Sequence, residues 1–256
     1  MSMTDGGGDT LLIRYGTFLF RYRNAVFPAA MVLVLLSFRP VLPFGDAAAD
    51  RWLDGLGLLI ILIGQGVRAA VIGLAYIKRG GVNKKIHADA LVRDGIFAHA
   101  RNPLYVGNLL ILGGLFVIHN NPWVYLLGGT FFLVSYGAIV AAEEEYLAAK
   151  FGDDYADYCR KVGRWLPTLR GLGRTLRSMS FNWRRVIMKD YSTVHTWSTT
   201  VLGLVAYQIV VERGFAARPA LLVIAVAVVA LALAALGVRA LKKSGRLHDR
   251  PMGQGS

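Results

Sequence analysis

The chain has a single cysteine and few charged side chains, and each of these facts excludes some classes of protein. Cys159 is the one cysteine among 256 residues, which excludes an intramolecular disulfide framework and a multi-cysteine zinc site. Charged residues make up 18% of the sequence, hydrophobic residues make up 55%, and the mean hydropathy is +0.45. These values exclude a disordered chain, a fibrous repeat and an ordinary water-soluble domain, and they indicate the bilayer as the solvent.

Long apolar stretches recur along the sequence at lengths suited to membrane-spanning helices. A span needs about 20 mainly apolar residues. The candidate stretches are residues 25–38, 53–77, 103–118, 122–142, 194–211 and 219–238. The first and third are short for a span. No internal repeat or second soluble domain is visible, so we predict an all-α fold, a polytopic membrane helical bundle of about six transmembrane helices.

The lysines and arginines are distributed unevenly around these stretches. If all six span, one face of the membrane carries 24 of the 29 basic residues and the other carries four, with Arg68 inside a span. The basic segments are residues 1–24, 78–101, 143–193 and 239–256. Because basic residues collect on the cytoplasmic side, both termini are predicted to be cytoplasmic. The net charge of +13 is then explained by the orientation of the chain in the membrane, and we expect no nucleic-acid partner.

A cleavable leader is the alternative for the first stretch. Residues 25–38 form an apolar core of suitable length, and residues 47–49 resemble a cleavage site. The long preceding segment and the interruption at Arg39 and Pro40 favour a retained helix.

A short polar turn joins the third and fourth stretches. Residues 119–122 read His-Asn-Asn-Pro, which combines turn formers with a proline suited to begin a helix. Such a short connection predicts two antiparallel helices lying side by side. Their far ends, near residues 101 and 144, are therefore expected to meet.

The start of the third stretch carries signals for a helix and for an anion. Asn102 is a suitable N-cap and Pro103 a suitable first helical residue, next to Arg101. The positive end of the helix dipole beside an arginine favours a carboxylate or phosphate. Tyr105 and Asn108 share a face, while a glycine at position 107 permits close approach of a helix or ligand.

Three consecutive glutamates, residues 143–145, close the fourth stretch. Consecutive helical positions face different directions, so at least one carboxylate should point toward the partner helix and one toward water. A solvated helix end is the simpler interpretation. Opposite Arg101, however, a carboxylate could accept hydrogen bonds from a diol such as a ribose.

The ordered motifs in this region resemble those of the isoprenylcysteine carboxyl methyltransferase and phospholipid methyltransferase superfamily. The resemblance covers roughly residues 57–167. It is carried by Leu-Val-Arg-Asp-Gly-Ile-Phe at 91–97, Arg-Asn-Pro-Leu-Tyr-Val-Gly at 101–107, Glu143, Glu144, Leu147, Phe151, Gly152, Tyr155, Tyr158, Val162, Arg164 and Pro167. The family pattern more often has histidine where this chain has Asn102, so a proton-transfer role at that position does not carry over.

The resemblance implies an integral membrane enzyme that transfers a methyl group from S-adenosylmethionine to a lipophilic acceptor. The cofactor would enter from the cytoplasm and the acceptor from the bilayer, in an inner or plasma membrane. The predicted catalytic positions are Arg101, Tyr105 and Glu144. The predicted cofactor-binding residues are His87, Leu91, Val92, Gly95, Arg101, Asn102, Pro103, Tyr105, Gly107, Asn108, Glu143, Glu144, Tyr158, Arg164 and Pro167.

The chemistry of the cofactor suits these side chains independently of the resemblance. S-adenosylmethionine offers a carboxylate to a cationic helix start, a ribose to a carboxylate and a sulfonium to aromatic rings. Methyl transfer needs no metal, and the five histidines show no spacing that would assemble a metal site. Candidate bases for an amine acceptor are His87, His99, Tyr105, Glu143 and Glu144, among which the sequence does not choose.

The predicted organisation has five segments. They are a cytoplasmic N-terminal segment at 1–24, a methyltransferase-like membrane core at 25–167, a basic interfacial connector at 168–193, two additional transmembrane helices at 194–238 and a basic tail at 239–256. Arg68, one turn from Gln65, is predicted to bind the acceptor, with a structural charge pair as the alternative. Basic and aromatic residues in the connector indicate contact with an anionic leaflet.

Several functions remain open at this point. The first choice of acceptor is an isoprenylcysteine-type carboxylate, followed by a phospholipid amine and a small thiol. The alternative classes are a nicotinamide-dependent membrane reductase of the sterol type and a non-catalytic membrane protein that retains the fold. The oligomeric state is left open.

Overall fold

The computed structural model describes residues 6–74 and 86–245, with side chains from residue 10 onward. Within these ranges every regular element is helical. The long helices are α1 (Gly6–Ser37), α2 (Ala47–Leu74), α3 (Pro103–His119), α4 (Gly129–Lys161), α6 (Trp183–Arg213) and α7 (Arg218–Lys243), with a short α5 (Leu172–Ser178). Single turns at Pro43–Gly45, Gly95–Ala98 and Gly214–Ala217 are 3-10 helical, and a π turn at Val124–Gly128 leads into α4.

Four helical stretches of the described chain are long and apolar enough to cross a membrane. They are Thr10–Ser37, Ala47–Leu74, Val124–Lys161 and Trp183–Lys243, the last of which contains both α6 and α7. The apolar helix α3 is shorter, at 17 residues. The expected helices are therefore present, whereas the count of six spans stays a prediction.

Several helices extend beyond the apolar stretches that predicted them. Helix α1 begins at Gly6, α4 continues to Lys161 with a kink at Gly152, and α6 begins at Trp183. Hydropathy marks only the apolar part of a helix, whereas hydrogen bonding along the backbone continues into polar sequence. Because α4 continues, residues 143–161 stand on one helical arm next to the start of α3.

Helices α2 and α3 pack through facing glycines. A Cβ on Gly57 would lie 2.7 Å from the carbonyl oxygen of Gly114, and one on Gly64 would lie 2.7 Å from that of Gly107. Small residues at these four positions let the two backbones approach closely, as in other membrane helix pairs. The glycine at 107 therefore serves helix packing.

The prediction that α3 and α4 lie side by side is only partly correct. The closest helix pairings are α2 with α3 and α1 with α4. Helices α3 and α4 are antiparallel and meet through aromatic side chains, with ring centroids 5.4 Å apart for Tyr105 and Tyr136 and 6.1 Å apart for Phe116 and Phe132. The glycine face of α3 permits a closer approach to α2 than the large side chains permit to α4.

The turn between α3 and α4 is tied to the end of α1. His119 is fully buried, and its Nε2 lies 3.0 Å from the carbonyl oxygen of Leu35. Asn120 adopts a left-handed conformation, and Asn121 accepts a hydrogen bond from the backbone of Trp123. The amide of Asn121 also donates to the carbonyl of Arg39 at 2.8 Å. These bonds hold the turn end of the hairpin against α1.

Candidate functional site

The start of α3 and the polar arm of α4, residues 143–161, come together at Arg101 and Glu144. Arg101 Nη1 lies 3.0 Å from Glu144 Oε1, and both side chains are largely buried, at 13% and 12% exposed. The second oxygen of Glu144 accepts a hydrogen bond from Arg164 at 2.5 Å. Because α3 and α4 are antiparallel, a short turn at one end brings these residues together at the other.

The three glutamates at the end of the apolar part of α4 face different directions. Glu143 and Glu144 are partly buried toward α3, whereas Glu145 is exposed. Consecutive positions on a helix are separated by about 100°, so one of the three must leave the interface. Two inward carboxylates thus border the site, which a solvated helix end would not provide.

Tyr105 links the first turn of α3 to the second inward carboxylate. Its hydroxyl donates to Glu143 Oε1 at 2.8 Å, and it accepts a hydrogen bond from Arg23 of α1 at 3.4 Å. The ring packs against Tyr136 of α4. Sequence reasoning missed Arg23, because nothing local distinguishes it from the other basic residues that precede the first span.

Asn102 occupies the N-cap position of α3, but its side chain does not cap the helix. It donates instead from Nδ2 to the carbonyl oxygen of Arg164 at 3.2 Å. The backbone amide of Arg101 donates to Gly163 at 2.9 Å. The predicted N-cap position is confirmed, but the amide of Asn102 holds the segment that follows α4 and does not cap the helix. Pro103 is buried as the first helical residue, as expected.

Two polar atoms at the centre of the site have no hydrogen-bond partner among the described residues. Arg101 Nε and Glu144 Oε1 are both buried, and Oε1 meets Arg101 Nη1 as an ion pair without the alignment of a hydrogen bond. Buried polar groups are nearly always hydrogen-bonded, so an unpartnered donor and acceptor here fit a polar ligand that carries both functions. An amino-acid carboxylate and a ribose hydroxyl are groups of that kind.

The side chains around Arg101 stabilise its positively charged form. Burial is the largest single effect and works against the charged form, but the contributions of Glu144, Cys159 and Tyr155 together outweigh it. The pKa of the guanidinium is consequently raised above its usual value. The site therefore offers a permanent positive charge next to a carboxylate.

Cys159 is a member of the site that the sequence did not reveal. Arg101 Nη1 lies 2.7 Å from Cys159 Sγ, and Tyr155 lies beside both residues. Tyr158, which was predicted, donates its hydroxyl to the carbonyl of Phe97 at 2.7 Å and so fixes α4 to the turn before α3. A lone cysteine carries no motif, and only the fold shows its neighbours.

Other predicted cofactor residues lie around the site in different roles. Leu91 packs with Tyr155 and Tyr158, Val92 packs with Phe97, and Gly95 has a positive φ of 63°. His87 pairs with Asp89 at 2.9 Å on the surface, and Pro167 is exposed. Whether these residues contact the cofactor stays a prediction.

Gly107 and Asn108 contact helix α2, and whether they also contact the cofactor stays a prediction. A Cβ on Gly107 would lie 2.6 Å from Cγ of Arg68 and 2.8 Å from the carbonyl oxygen of Gly64. Asn108 Oδ1 accepts a hydrogen bond from Arg68. Both residues therefore contact α2, because the turn of α3 that carries them is rotated toward the glycine interface.

Arg68 has protein partners inside the bundle. Its guanidinium forms an ion pair with Asp190, which is fully buried, and Nε lies 3.1 Å from the same carboxylate. Asp190 also accepts from Gln65 at 2.6 Å, and Gln65 accepts from Trp197 at 3.0 Å. The structural pairing considered as the alternative is thus present, while contact with an acceptor stays a prediction.

Asp190 was placed by sequence in a connector that includes five exposed basic residues. They are Arg170, Arg174, Arg177, Arg184 and Lys189. Arg185 and Asp190, by contrast, are buried, because α6 already begins at Trp183 and turns one face toward α2.

His99 joins the connector to the site, with its ring nitrogens 2.7 Å from the carbonyl of Thr168 and 2.9 Å from the hydroxyl of Thr175. Both nitrogens of this candidate base are therefore engaged by protein.

Comparison with known proteins gives a family match and several relatives. A family model described as phospholipid methyltransferase matches residues 54–154, a region that contains both Arg101 and Glu144. The chain is 30% identical over 153 residues to the cobalt-zinc-cadmium resistance protein CzcN of Cupriavidus metallidurans, covering 59% of this chain and 67% of that protein. No solved structure gives a significant match.

Two further relatives carry the name protein-S-isoprenylcysteine O-methyltransferase. The chain is 31% identical over 132 residues to that of Xenopus laevis, covering 50% of this chain and 46% of the relative. It is 27% identical over 142 residues to the A form of Arabidopsis thaliana, covering 54% and 72%. The chain thus spans just under half the length of the frog relative and about two thirds of the Cupriavidus one.

These matches and the paired helix ends together define the family. The chain belongs to the superfamily of membrane methyltransferases that includes the isoprenylcysteine carboxyl methyltransferases and the phospholipid methyltransferases. The family match ends before Cys159 and Arg164 and does not include α6 or α7.

Proposed function

We propose that the protein is an integral membrane methyltransferase that transfers a methyl group from S-adenosylmethionine to a lipophilic acceptor. The observation that carries the proposal is the buried pair of Arg101 and Glu144, whose Nε and Oε1 lack hydrogen-bond partners in the described chain. A methyltransferase site has to bind a zwitterionic nucleoside, and this pair supplies a cation and an anion at adjacent positions. Family membership identifies the reaction class.

The residues have distinct tasks toward the cofactor. Arg101 binds the amino-acid carboxylate at the start of α3, where the helix dipole also favours negative charge. Glu144, held by Arg164, accepts hydrogen bonds from the ribose. When bound, the cofactor supplies an electrophilic methyl group on a positively charged sulfur.

The protein's contribution to the transfer is to orient the reactants and exclude water. Methyl transfer is an in-line displacement, so the site must hold the acceptor atom collinear with the methyl group and sulfur. Tyr105, locked to Glu143 and packed on Tyr136, forms a rigid wall on the membrane side of the pair. A carboxylate acceptor needs no base, whereas an ammonium acceptor must first lose a proton.

The preferred acceptor is an isoprenylcysteine-type carboxylate. The frog and Arabidopsis relatives are named for that reaction, and the motif order of this chain resembles their branch most closely. A phospholipid amine is the second candidate, because the matching family model is described as phospholipid methyltransferase. A small thiol is the third.

The proposed orientation places the cofactor site on the cytoplasmic face of an inner or plasma membrane. Six spans are the count that the apolar stretches predict, and for six spans the asymmetry of the basic residues favours both termini inside. Residues 25–167 then form the catalytic core, and residues 194–238 add two spans beyond it. The exposed arginines of the 168–193 connector, next to the exposed Trp183, would contact anionic head groups of that leaflet.

Calorimetric titration of the purified protein in detergent tests cofactor binding. We expect S-adenosylmethionine to bind the wild-type protein and a variant with the exposed Glu145→Gln, and to bind Glu144→Gln more weakly. Incubation with methyl-labelled cofactor and either a farnesylated cysteine derivative or phosphatidylethanolamine then identifies the acceptor class. Folded protein that binds no cofactor and labels neither acceptor would refute the proposal.

A further inference from the structure

A cleft of about 260 Å³ lies at the end of the bundle opposite Arg101 and takes no part in the proposed methyl transfer. It is lined by residues 40–42 of the α1–α2 loop, by Asp50 of α2, and by Gln208, Val211 and Glu212 of α6. Gln208 donates to the carbonyl oxygen of Ile118, near the end of α3. Because Arg101 precedes the start of that helix, the cleft and the methyl-transfer site open at opposite faces of the membrane.

Asp50 is the unusual residue in this cleft. It is 8% exposed, and its carboxylate forms no hydrogen bond or ion pair with any side chain in residues 10–74 and 86–245. Asp54 and Glu212 lie close enough to interact with it electrostatically, and they carry the same charge. A buried carboxylate next to two others is costly unless a cation compensates its charge or it takes up a proton.

The basic side chains near Asp50 compensate this charge only in part. Arg51 interacts electrostatically with Asp50. Both Arg51 and Arg213 are exposed, however, and in the described part of the chain neither forms an ion pair with these carboxylates. Nor does that part contain a group of three histidine, cysteine or acidic residues arranged to hold a metal ion. A small cationic ligand in the cleft would supply the remaining positive charge.

The shape and lining of the cleft fit an organic cation. Its volume corresponds to about nine water molecules at ~30 Å³ each, enough for a small head group. Residues 40–42 and Val211 provide apolar walls, while Asp50 and Glu212 provide negative charge. Apolar walls around a few convergent polar groups are typical of small-molecule sites.

We propose that this cleft binds an alkylammonium cation, with the ammonium group facing Asp50 and its carbon substituents against the apolar walls. The cation belongs either to a soluble amine or to the head group of an aminophospholipid in the outer leaflet. The proposal does not depend on the methyltransferase activity, because the cleft shares no residue with the Arg101 site.

Thermal unfolding of the full chain in detergent tests the proposal. Ethylammonium chloride is added to the wild-type protein, to Asp50→Asn and to a control, Asp153→Asn, whose carboxylate is exposed at the other face. We expect saturating ethylammonium to raise Tm by about 3 °C relative to equal sodium chloride in the wild type and the control. The Asp50→Asn variant should show no such rise.

A second variant guards against misfolding of the first. Glu212 is exposed, so Glu212→Gln should fold normally and shift the ethylammonium concentration for half-maximal effect upward by about tenfold, the loss expected for one charged contact. An equal rise of Tm with sodium chloride would overturn the proposal. So would an ethylammonium response that persists undiminished in both variants, or no response in the wild type.

The source of the cation is distinguished in nanodiscs of defined composition. If a lipid head group occupies the cleft, added ethylammonium should stabilise the wild type in phosphatidylglycerol discs but not in discs containing phosphatidylethanolamine. If the ligand is a soluble amine, the Tm shift should be equal in both. A shift in neither kind of disc would count against an ammonium site altogether.

Discussion

Arg101 and Glu144 belong to different helices and meet as a buried ion pair 3.0 Å apart. The contact depends on a turn at the opposite end of the α3–α4 hairpin, where Asn120 adopts a left-handed conformation that reverses the chain. The site is therefore assembled by the antiparallel course of two helices rather than by a local motif. Its bordering residues Tyr105 and Glu143 extend the same contact toward the membrane.

Removing the charge of Glu144 should weaken cofactor binding while preserving the fold. In Glu144→Gln, Arg101 and Arg164 lose a shared charged partner, and the cofactor loses an acceptor. A charge-assisted hydrogen bond contributes about 1.5–3 kcal/mol, so we expect the Kd for S-adenosylmethionine to rise about 10- to 100-fold. The exposed Glu145→Gln is the matched control in the same titration. Equal affinities for the two variants would contradict the assignment.

The hydroxyl of Tyr105 should matter more to activity than to stability. Tyr105→Phe keeps the ring packed on Tyr136 but removes the hydrogen bond to Glu143. We expect the initial rate of methyl transfer to fall about tenfold, the equivalent of ~1.4 kcal/mol, with Tm changed little. Rates with labelled cofactor and thermal unfolding measured on the same preparation check both parts. An unchanged rate would mean that the hydroxyl does not orient Glu143.

Adjacent glycines on α3 should respond differently to alanine. At Gly114 a Cβ would collide with the carbonyl oxygen of Gly57, whereas nothing lies within 4 Å of a Cβ at Gly113. Overpacking costs about 1–3 kcal/mol, so Gly114→Ala should lower Tm, and Gly113→Ala should leave it unchanged or raise it slightly. Thermal unfolding of both variants in one detergent makes the comparison. Equal destabilisation would show that α2 and α3 do not pack through this face.

Removing one member of the buried pair of Arg68 and Asp190 should lower the stability of the protein more than replacing both members with apolar residues. Removing one partner leaves an uncompensated buried charge, which costs about 3–5 kcal/mol. We expect Arg68→Met and Asp190→Leu each to lower Tm strongly, and the double variant to be more stable than either. Purely additive losses would contradict a direct pairing.

The exposed pair of Arg93 and Asp154 provides the control for that measurement. Its members are 54% and 74% exposed and 3.5 Å apart. Exposed pairs contribute no more than about 1 kcal/mol, so Arg93→Gln should change Tm little.

If the acceptor instead binds at Arg68, the conservative variant Arg68→Lys should remain folded but show a raised KM for the acceptor.

The sequence predicted the central pair of the site. It did not predict the contacts between residues that are far apart in the chain. The meeting of residues 101 and 144 followed from the short turn and the helix signals, which are local. The contact between Arg68 and Asp190 could not be predicted from the sequence, and neither could the contact between Arg101 and Cys159, because no local pattern links these residues. Asn102 is the N-cap residue of α3 as predicted, but the bond from its amide to the distant carbonyl of Arg164 could not be predicted for the same reason.

The sequence alone determined the membrane character, the helical class, the order of the helices and the sign of the charge at each end, because hydropathy and charge accumulate residue by residue. Only the tertiary structure decided which faces meet: α3 against α2 through glycines, α4 against α1, and α6 against α2 through a buried carboxylate. Those choices depend on the rotation of each helix about its axis. That rotation is set by side-chain volume and buried charge on all neighbours at once, which no single segment encodes.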